Sequence, residues 1–562
     1  MKKMKYISST LLILLLLSSC KSMLEEKPYD FITPSQLADN DASAQLLVNG
    51  CYNMLTADDY IKWEIYYKQI EFDNDYVTGP DWLMKDFAAG NFPSFDNSEG
   101  LVRFWRGPYT LIDRCSNAIN AISGMSFDTD RRNNYLGQAY LMRGWAYFQL
   151  VRGFGAVPIF RKTVAEGASF EQPRAPISEV YAYIIENLKL AEKYMASNKS
   201  SVYLSGRPSK GAASAFLVKV YATMASGALQ GAQVTVNCGP AATRVGNVAT
   251  LNAKPVATTF TKSVVAGYEG FNSAQYYGLA RHVADSLIKS GEYSLFTNFD
   301  DVWLTGNLHT GEHIWSLQGI DGSSTYGTDT DVFLWGVFDS NDILTSGMWV
   351  KTRLHWYELF EANDYRITKG VVHRWKISSA NAKYSPPKDS DIVQAGTPNP
   401  YGWQTTDWDE GLNEYGCTLT KFKPAQPTVN VKSFPLDFIR YADVLLLFAE
   451  ADNEVNNGPT QAGIDAVNLL RTRNNASAVS TTLNQQQFRS FVLEERAREL
   501  ALEGDRRWDL IRWGIYLPVM NSIDIDENNL LKRRQEKHLL FPIPTSEIDA
   551  NSMLKGHQNP GW

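Results

Sequence analysis

Residues 485–514 read QQQFRSFVLEERARELALEGDRRWDLIRWG. Phe488, Phe491, Val492, Leu500 and Leu502 fall on an apolar stripe of helical period, and Glu494 precedes Arg498 at the i,i+4 spacing that supports a helix. Gly504 is the expected stop of that helix. Beyond it, Arg506, Arg507, Trp508, Asp509, Arg512 and Trp513 mix charge with large aromatic area. Arginines interleaved with aromatics are one sign of a nucleic-acid surface. Here Glu494, Glu495, Glu499, Glu503, Asp505 and Asp509 nearly cancel them, and a surface built for phosphates would not neutralise itself. The stretch therefore reads as a partly buried ion-pair network that fixes a helix against a core.

The rest of the chain is consistent with a large globular body. At 562 residues, 44% hydrophobic and 20% charged, it can bury an extensive core. The aromatic share of 12%, with 15 Trp and 28 Tyr, exceeds what packing alone requires and points to rings displayed to a ligand. A formal charge of -7 also argues against a nucleic-acid partner.

The N-terminus reads as a targeting segment. Lys2, Lys3 and Lys5 precede the apolar run 11–17, which is too short to span a bilayer permanently. The run ends in LSSC (17–20), similar to a bacterial lipobox in which Cys20 becomes the lipidated first residue; an ordinary cleaved signal peptide is the competing reading. Glu25 and Glu26 resemble the export signal of surface lipoproteins, set further from the cysteine than that pattern prefers. Cys51, Cys115, Cys238 and Cys417 match no zinc spacing. The sequence admits a Cys51–Cys115 bridge, but small buried thiols are the simpler reading.

Helical periodicity recurs at about 42–55, 102–122, 135–153, 178–195, 209–226, 273–290, 349–360, 438–455 and 460–471. The expected fold is mainly α, with roughly four helix pairs, long loops and a few short strands. A degenerate tetratricopeptide-like repeat fits, as does plain helical packing, because no strict period of about 34 residues survives. Residues 73–100 form a long aperiodic stretch rich in Asp, Gly and aromatics, and such loops inside a compact protein are usually functional or disordered. Residues 232–270 and 378–418 read as further loop-rich excursions.

These blocks resemble the RagB/SusD family of surface glycan-binding lipoproteins. The resemblance is carried by ERARELALEG (495–504), RWDL (507–510) and RWG (512–514), and by QAYLMRGWAYFQL (138–150) with FGAVP (154–158). GRPSKGAA (206–213), RYADVLLLFAEA (440–451), NLLRTR (468–473) and the final QNPGW (558–562) extend it over nearly the whole chain in order. It implies a signal peptide at 1–19, a lipid anchor and tether at 20–41, helical regions at 42–230 and 271–562 packed as one body, and an insertion at 231–270. It further implies an outer-membrane protein that binds oligo- or polysaccharide and serves a SusC-like TonB-dependent transporter, with no cofactor. The other reading is a non-catalytic helical-repeat lipoprotein that binds peptide or protein.

Enzymatic motifs do not hold together. His309 and His313 match the H-x-x-E-H pattern of some zinc peptidases, but Gly311 interrupts the helix that pattern needs and residues 314–318 continue with strand-like character; the resemblance implies that 312–315 start a core strand. No feature selects the facing carboxylate pair of a glycosidase. Asp73-Asn74-Asp75 opens like a calcium loop whose glycine, Gly79, comes one place too late, so it reads as a turn, with a structural calcium unsupported. Gly153 and Gly155 lack the rest of a dinucleotide fingerprint.

Sugar rings stack their C–H faces on aromatic planes and need polar side chains at the rim. The resemblance implies an aromatic arc drawn from 73–100 and 319–349. Trp82, Tyr326, Trp335 and Trp349 are its candidate rings, and Asp81 and Asn91 its candidate polar groups. Exposure of Trp82 and Trp335 on one face would favour the sugar reading, and burial of both the peptide reading. Trp105, Trp145, Trp315, Trp508 and Trp513 sit in helix or strand patterns and read as core.

Overall fold

Local chemistry sets the ends of the long helices. The first half of the chain builds α1 (Asp41–Thr56), α2 (Asp81–Met84), α3 (Glu99–Ser123), α4 (Thr129–Phe154), α5 (Ile177–Tyr194), α6 (Lys210–Ala228) and α7 (Ser273–Ser290). Asp128 accepts the Arg131 N–H at the start of α4, and Gly155 at φ +72° turns the chain out of it. Asn272 and the left-handed Gly291 do the same for α7. The second half adds α8 (Leu354–Tyr357), α9 (Tyr365–Thr368), α10 (Tyr441–Val455), α11 (Gln461–Arg473), α12 (Gln485–Glu499), α13 (Arg506–Arg512), α14 (Tyr516–Ile523) and α15 (Thr545–Ala550). The computed structural model describes residues 37–56, 71–92, 99–163, 166–240, 243–245, 248–250, 255–317, 334–372, 374–379, 382–384, 416–423 and 436–562.

Four helix pairs carry the architecture: α1 with α3, α4 with α5, α6 with α7, and α10 with α11. Contacts of α3 with α4, α5 with α6, and α7 with α10 join the pairs side by side. One apolar core runs from Ala44 to Leu554 and includes Trp105, Trp145, Trp315 and Trp508; a smaller one gathers Val234, Val236, Leu510, Trp513 and Tyr516. The five tryptophans expected to be core are therefore buried. So are Cys51, Cys115, Cys238 and Cys417, all as free thiols. No described helix is long and apolar enough to cross a membrane.

The strands are short antiparallel pairs. They include β1 (Val77–Thr78), β2 (Gln233–Cys238), β3 (Val256–Thr261), β4 (His313–Leu317), β5 (Lys351–Thr352) and β6 (Leu436–Arg440). β2 pairs with β3, so the aperiodic stretch after α6 holds a hairpin whose Val234 and Val236 turn inward. β4 pairs with β6, and all five residues of each are buried.

Three helix boundaries differ from the sequence expectation. Residues 349–360 are not one helix: Lys351 and Thr352 pair with Thr78 and Val77, and only one helical turn, α8, follows. The stretch expected as helix from 438 begins as β6, because Phe438 and Ile439 are needed beside β4. α12 stops at Glu499 instead of running to Gly504, since Leu502 (φ +60°) and Gly504 (φ +89°) both turn left-handed. The early stop turns the Glu499 carbonyl toward Arg440 Nη2 and Lys421 Nζ, 3.4 and 3.5 Å away.

Candidate functional site

The site begins with the charges of α12. A capping box of Asn484 and Gln487 starts the helix, and its last turns bury Glu495, Arg496, Arg498 and Glu499. Buried charges left single would cost several kcal/mol each, so pairing is obligatory. Glu495 accepts from Arg366 (2.6 Å), Arg471 (2.9 Å) and Arg498 (2.9 Å). Glu499 accepts from Arg473 (2.5 Å), Arg366 (3.3 Å) and the Asn474 amide (3.0 Å). Arg440 donates to Glu312 (2.8 Å) and Glu503 (2.7 Å), and Arg496 to Asp443 (2.5 Å) and Asp509 (2.8 Å). Burial alone would raise the Glu495 carboxyl, but Arg366, Arg498 and Arg471 hold it down at about 2. Glu71 is the exception: neither carboxylate oxygen finds a partner among the described residues, and burial beside Asp505 pushes its pKa well above the usual range.

Through α13 this network grips the long loop after α1. Arg506 forks onto Asp75, with Nε and Nη2 at 2.8 and 2.7 Å from its two oxygens. Asp73, fully buried, accepts from Arg507, from Arg534 Nε at 3.0 Å and from the Tyr516 hydroxyl at 2.7 Å. Lys532 donates to the Val77 carbonyl at 2.8 Å, and Arg353 to the Asp75 carbonyl at 2.9 Å. Thr78 donates to Asp526 at 2.9 Å and accepts from Asn528 at 2.8 Å. Guanidinium groups thus fill the cation role that a calcium loop would give to a metal, and the Asp73-Asn74-Asp75 turn is an arginine-bound loop root.

With its root fixed, the loop pairs through β1 with β5, in the register Val77 to Thr352 and Thr78 to Lys351. That ladder brings together 73–100 and the end of 319–349, two regions more than two hundred residues apart in sequence. Gly79 follows β1 where a Cβ would lie 2.8 Å from the Trp349 carbonyl oxygen and 2.5 Å from Met84 Cε, so only glycine permits the approach. The single turn of α2 then raises Trp82, which stands 56% exposed with its edge against Trp349, centroids 5.0 Å apart at 83°. Trp349 is half-buried. The two indoles form a right-angled corner of one exposed and one half-buried ring.

The other candidate residues distribute unevenly. Asp81 is exposed at the start of α2 beside Trp82. Asn91 is exposed but engaged in the turn, its Nδ2 donating to the Lys85 carbonyl at 2.7 Å. Trp335 is only 8% exposed and packs in the core beside Phe338, with Lys423 Nζ 5.9 Å from its ring centre. Burial takes Trp335 away from the open face, a correction to the expectation of an exposed ring there. Tyr326 and Cys20 lie outside the described residues. Sequence reasoning placed Arg506 and Arg507 in an ion-pair network without seeing their grip on the loop, and it missed Arg534 and Lys532. Asp73 and Asp75 lie more than four hundred positions from their arginines, and no local pattern links them.

The comparisons with known proteins agree with this architecture. The SusD family model matches residues 312–562, and a model described as starch-binding associating with outer membrane matches residues 23–222. The chain belongs to the SusD family. It is similar to SusD-like protein P2 of Formosa agariphila, 24% identical over 99% of this chain and 100% of that one. Among solved structures, a SusD homolog from Bacteroides thetaiotaomicron superimposes with TM-score 0.73 at 23% identity, covering 94% of this chain and 98% of the other. Surface glycan-binding protein A from Bacteroides fluxus gives TM-score 0.67 at 19% identity, covering 93% and 100%.

In this SusD-family chain the H-x-x-E-H residues serve the fold. His313 Nδ1 lies 3.0 and 3.1 Å from the Asp437 oxygens, and Nε2 lies 2.8 Å from the Val302 carbonyl. Acceptors on both sides require both nitrogens to carry hydrogen. Burial works against that charge, but Asp437 pushes the pKa up to about 9. His309, at φ +66°, turns its Nδ1 to within 3.5 Å of Ser316 Oγ. An imidazolium bonded on both sides offers a zinc ion no lone pair, and Glu312 is taken by Arg440 and Arg473.

Proposed function

We propose that this protein is a lipid-anchored, surface-exposed glycan-binding protein that captures oligo- or polysaccharide and delivers it to a SusC-like TonB-dependent outer-membrane transporter. The observation that carries the reading is the Trp82–Trp349 corner, an exposed indole set perpendicular to a half-buried one on a loop whose root is clamped by buried arginines. A pyranose ring lays its C–H face on such a plane, while Asp81 at the mouth accepts from its hydroxyls. A clamped root keeps the corner from losing conformational freedom when sugar binds. Tyr326 is the third ring proposed for the arc.

The description of the model matched at 23–222, starch-binding associating with outer membrane, supports the same class of ligand and the same membrane. The fold shared with a surface glycan-binding protein supports it too. Cys20 is the proposed acylation site, and the helical surface around the corner the proposed transporter interface.

Affinity electrophoresis of the full chain in detergent tests the reading, through gels containing amylopectin, laminarin, arabinoxylan or galactomannan. Retardation by one of these that is clearly weakened in Trp82→Ala supports both ligand class and site. Migration unaffected by every polysaccharide would favour a peptide- or protein-binding lipoprotein instead.

A further inference from the structure

A second ligand-sized opening lies on other elements. A cavity of about 590 Å³ opens between α3, the chain at 158–163 and α15. It shares no residue with the Trp82–Trp349 corner, and its size is typical of small-ligand sites. Trp105, Ile112 and Leu554 contribute an apolar floor. On one wall Tyr109 and Phe160 stand perpendicular, centroids 5.7 Å apart at 88°, with the Tyr109 hydroxyl donating to the Pro158 carbonyl at 2.9 Å. Phe170, at the mouth, is 70% exposed, more than any other large apolar side chain among the described residues. Because Phe170 adjoins the apolar floor and wall, the exposed area is contiguous with the cavity, as in ligand-binding grooves.

The rim decides the class of ligand. Arg106 and Glu547 face each other across 3.6 Å, and Lys162 and the solvent-facing Asp113 complete it. Asp113 accepts from Asn117 at 3.0 Å through one oxygen only, and partial burial raises its carboxyl above the usual range. Two cations and two anions give a rim with no net charge, which does not select a polyanion. An acyl chain would use the rings and make no hydrogen bond to the charged rim. A neutral sugar uses both, its C–H faces on the rings and its hydroxyls on the charges.

We propose that this cavity is a second carbohydrate site, taking a short run of neutral pyranose rings from the same polysaccharide that the tryptophan corner holds. The proposal rests on the glycan-binding reading above. Two sites on one chain turn the second contact into an intramolecular event, so a polymer is held more tightly than a short oligosaccharide.

The test uses the full chain in detergent and whichever of amylopectin, laminarin, arabinoxylan or galactomannan retards it most. Phe170→Ala combined with Asp113→Ala alters two exposed side chains, and an unchanged melting temperature verifies the fold. This variant should lose about 10-fold or more of the affinity for the polymer, with unchanged affinity for a disaccharide of the same sugar at the corner. Trp82→Ala alone should keep a residual retardation that the triple variant loses. Retardation abolished by Trp82→Ala alone, or a groove variant that migrates as wild type, would overturn the second site while leaving the first intact. Wild-type retention on phenyl-agarose that Phe170→Ala abolishes, with polymer affinity unchanged, would assign the cavity to an apolar partner and overturn it as well. If no polysaccharide retards the wild type, the glycan-binding reading fails and this proposal fails with it.

Discussion

Arg440 and Trp82 invert the usual rule of burial. Arg440 is sealed in the interior, shared among Glu312, Glu499 and Glu503, while Trp82 holds a large apolar ring out in water. Around Arg440 the side chains satisfy one another, and the product is a fixed geometry. Around Trp82 the ring is left unsatisfied, and the product is an open face. The contrast teaches that the stretch that reads most clearly serves the scaffold, and that the surface it serves lies elsewhere. Asp73 and Asp75 connect the two, because the network that stiffens α12 and α13 also fixes the loop that raises Trp82.

Breaking the network should cost the most. Arg440→Ala leaves three buried carboxylates short of a partner and should lower stability by about 3–5 kcal/mol, read from the shift in urea midpoint. Asp73→Asn keeps the shape but leaves Arg507 and Arg534 facing a neutral group. It should cost about 3 kcal/mol and also weaken glycan binding, which would show that the root and the corner are coupled. A loss of stability with unchanged affinity would separate them.

Acid should act on the network. Arg366 and its neighbours hold Glu495 at about 2, and Arg353 holds Glu527 at about 2, both against burial. In the unfolded chain these groups titrate near 4.5, so below that pH the unfolded state binds more protons. Their stabilisation is complete above about pH 5 and is lost as pH falls from 4.5 towards 2, on the order of 3 kcal/mol for Glu495. Melting temperatures from pH 6 to pH 3 should fall along that window. A flat profile would mean the carboxylates are not paired as described. Gly79→Ala is milder, about 1–2 kcal/mol, because Met84 can shift but the Trp349 carbonyl cannot. Its signature is a change in the near-ultraviolet circular dichroism of the tryptophan pair.

How much of this was legible follows from the range of each signal. The helices of 273–290 and 41–56 read well because capping residues and apolar period are local. The α12 stretch was recognisable as an ion-pair network because its charges visibly cancel. Its reach to Glu312, Arg366 and Asp75 was not, since pairing across hundreds of residues leaves no local trace. The helix expected at 349–360 failed for the same reason: Lys351 and Thr352 are claimed by β1, a partner that no window around them contains. Trp82 and Trp349 were named as candidates, but their right-angled contact depends on that ladder. Trp335 looked equivalent in sequence and is buried, because an aromatic residue in a loop carries no mark of which way it faces.

The most direct measurement takes Trp82→Ala through two readouts at once. Trp82 is mostly exposed, so removing it should shift stability by no more than about 0.5 kcal/mol. The same variant should lose at least about 10-fold in affinity for the polysaccharide that retards the wild type, the step that about 1.4 kcal/mol of lost stacking makes. Unchanged melting with weakened binding is the predicted result. Unchanged melting with unchanged binding would contradict the account, placing the ligand somewhere other than the corner that the buried arginines hold in place.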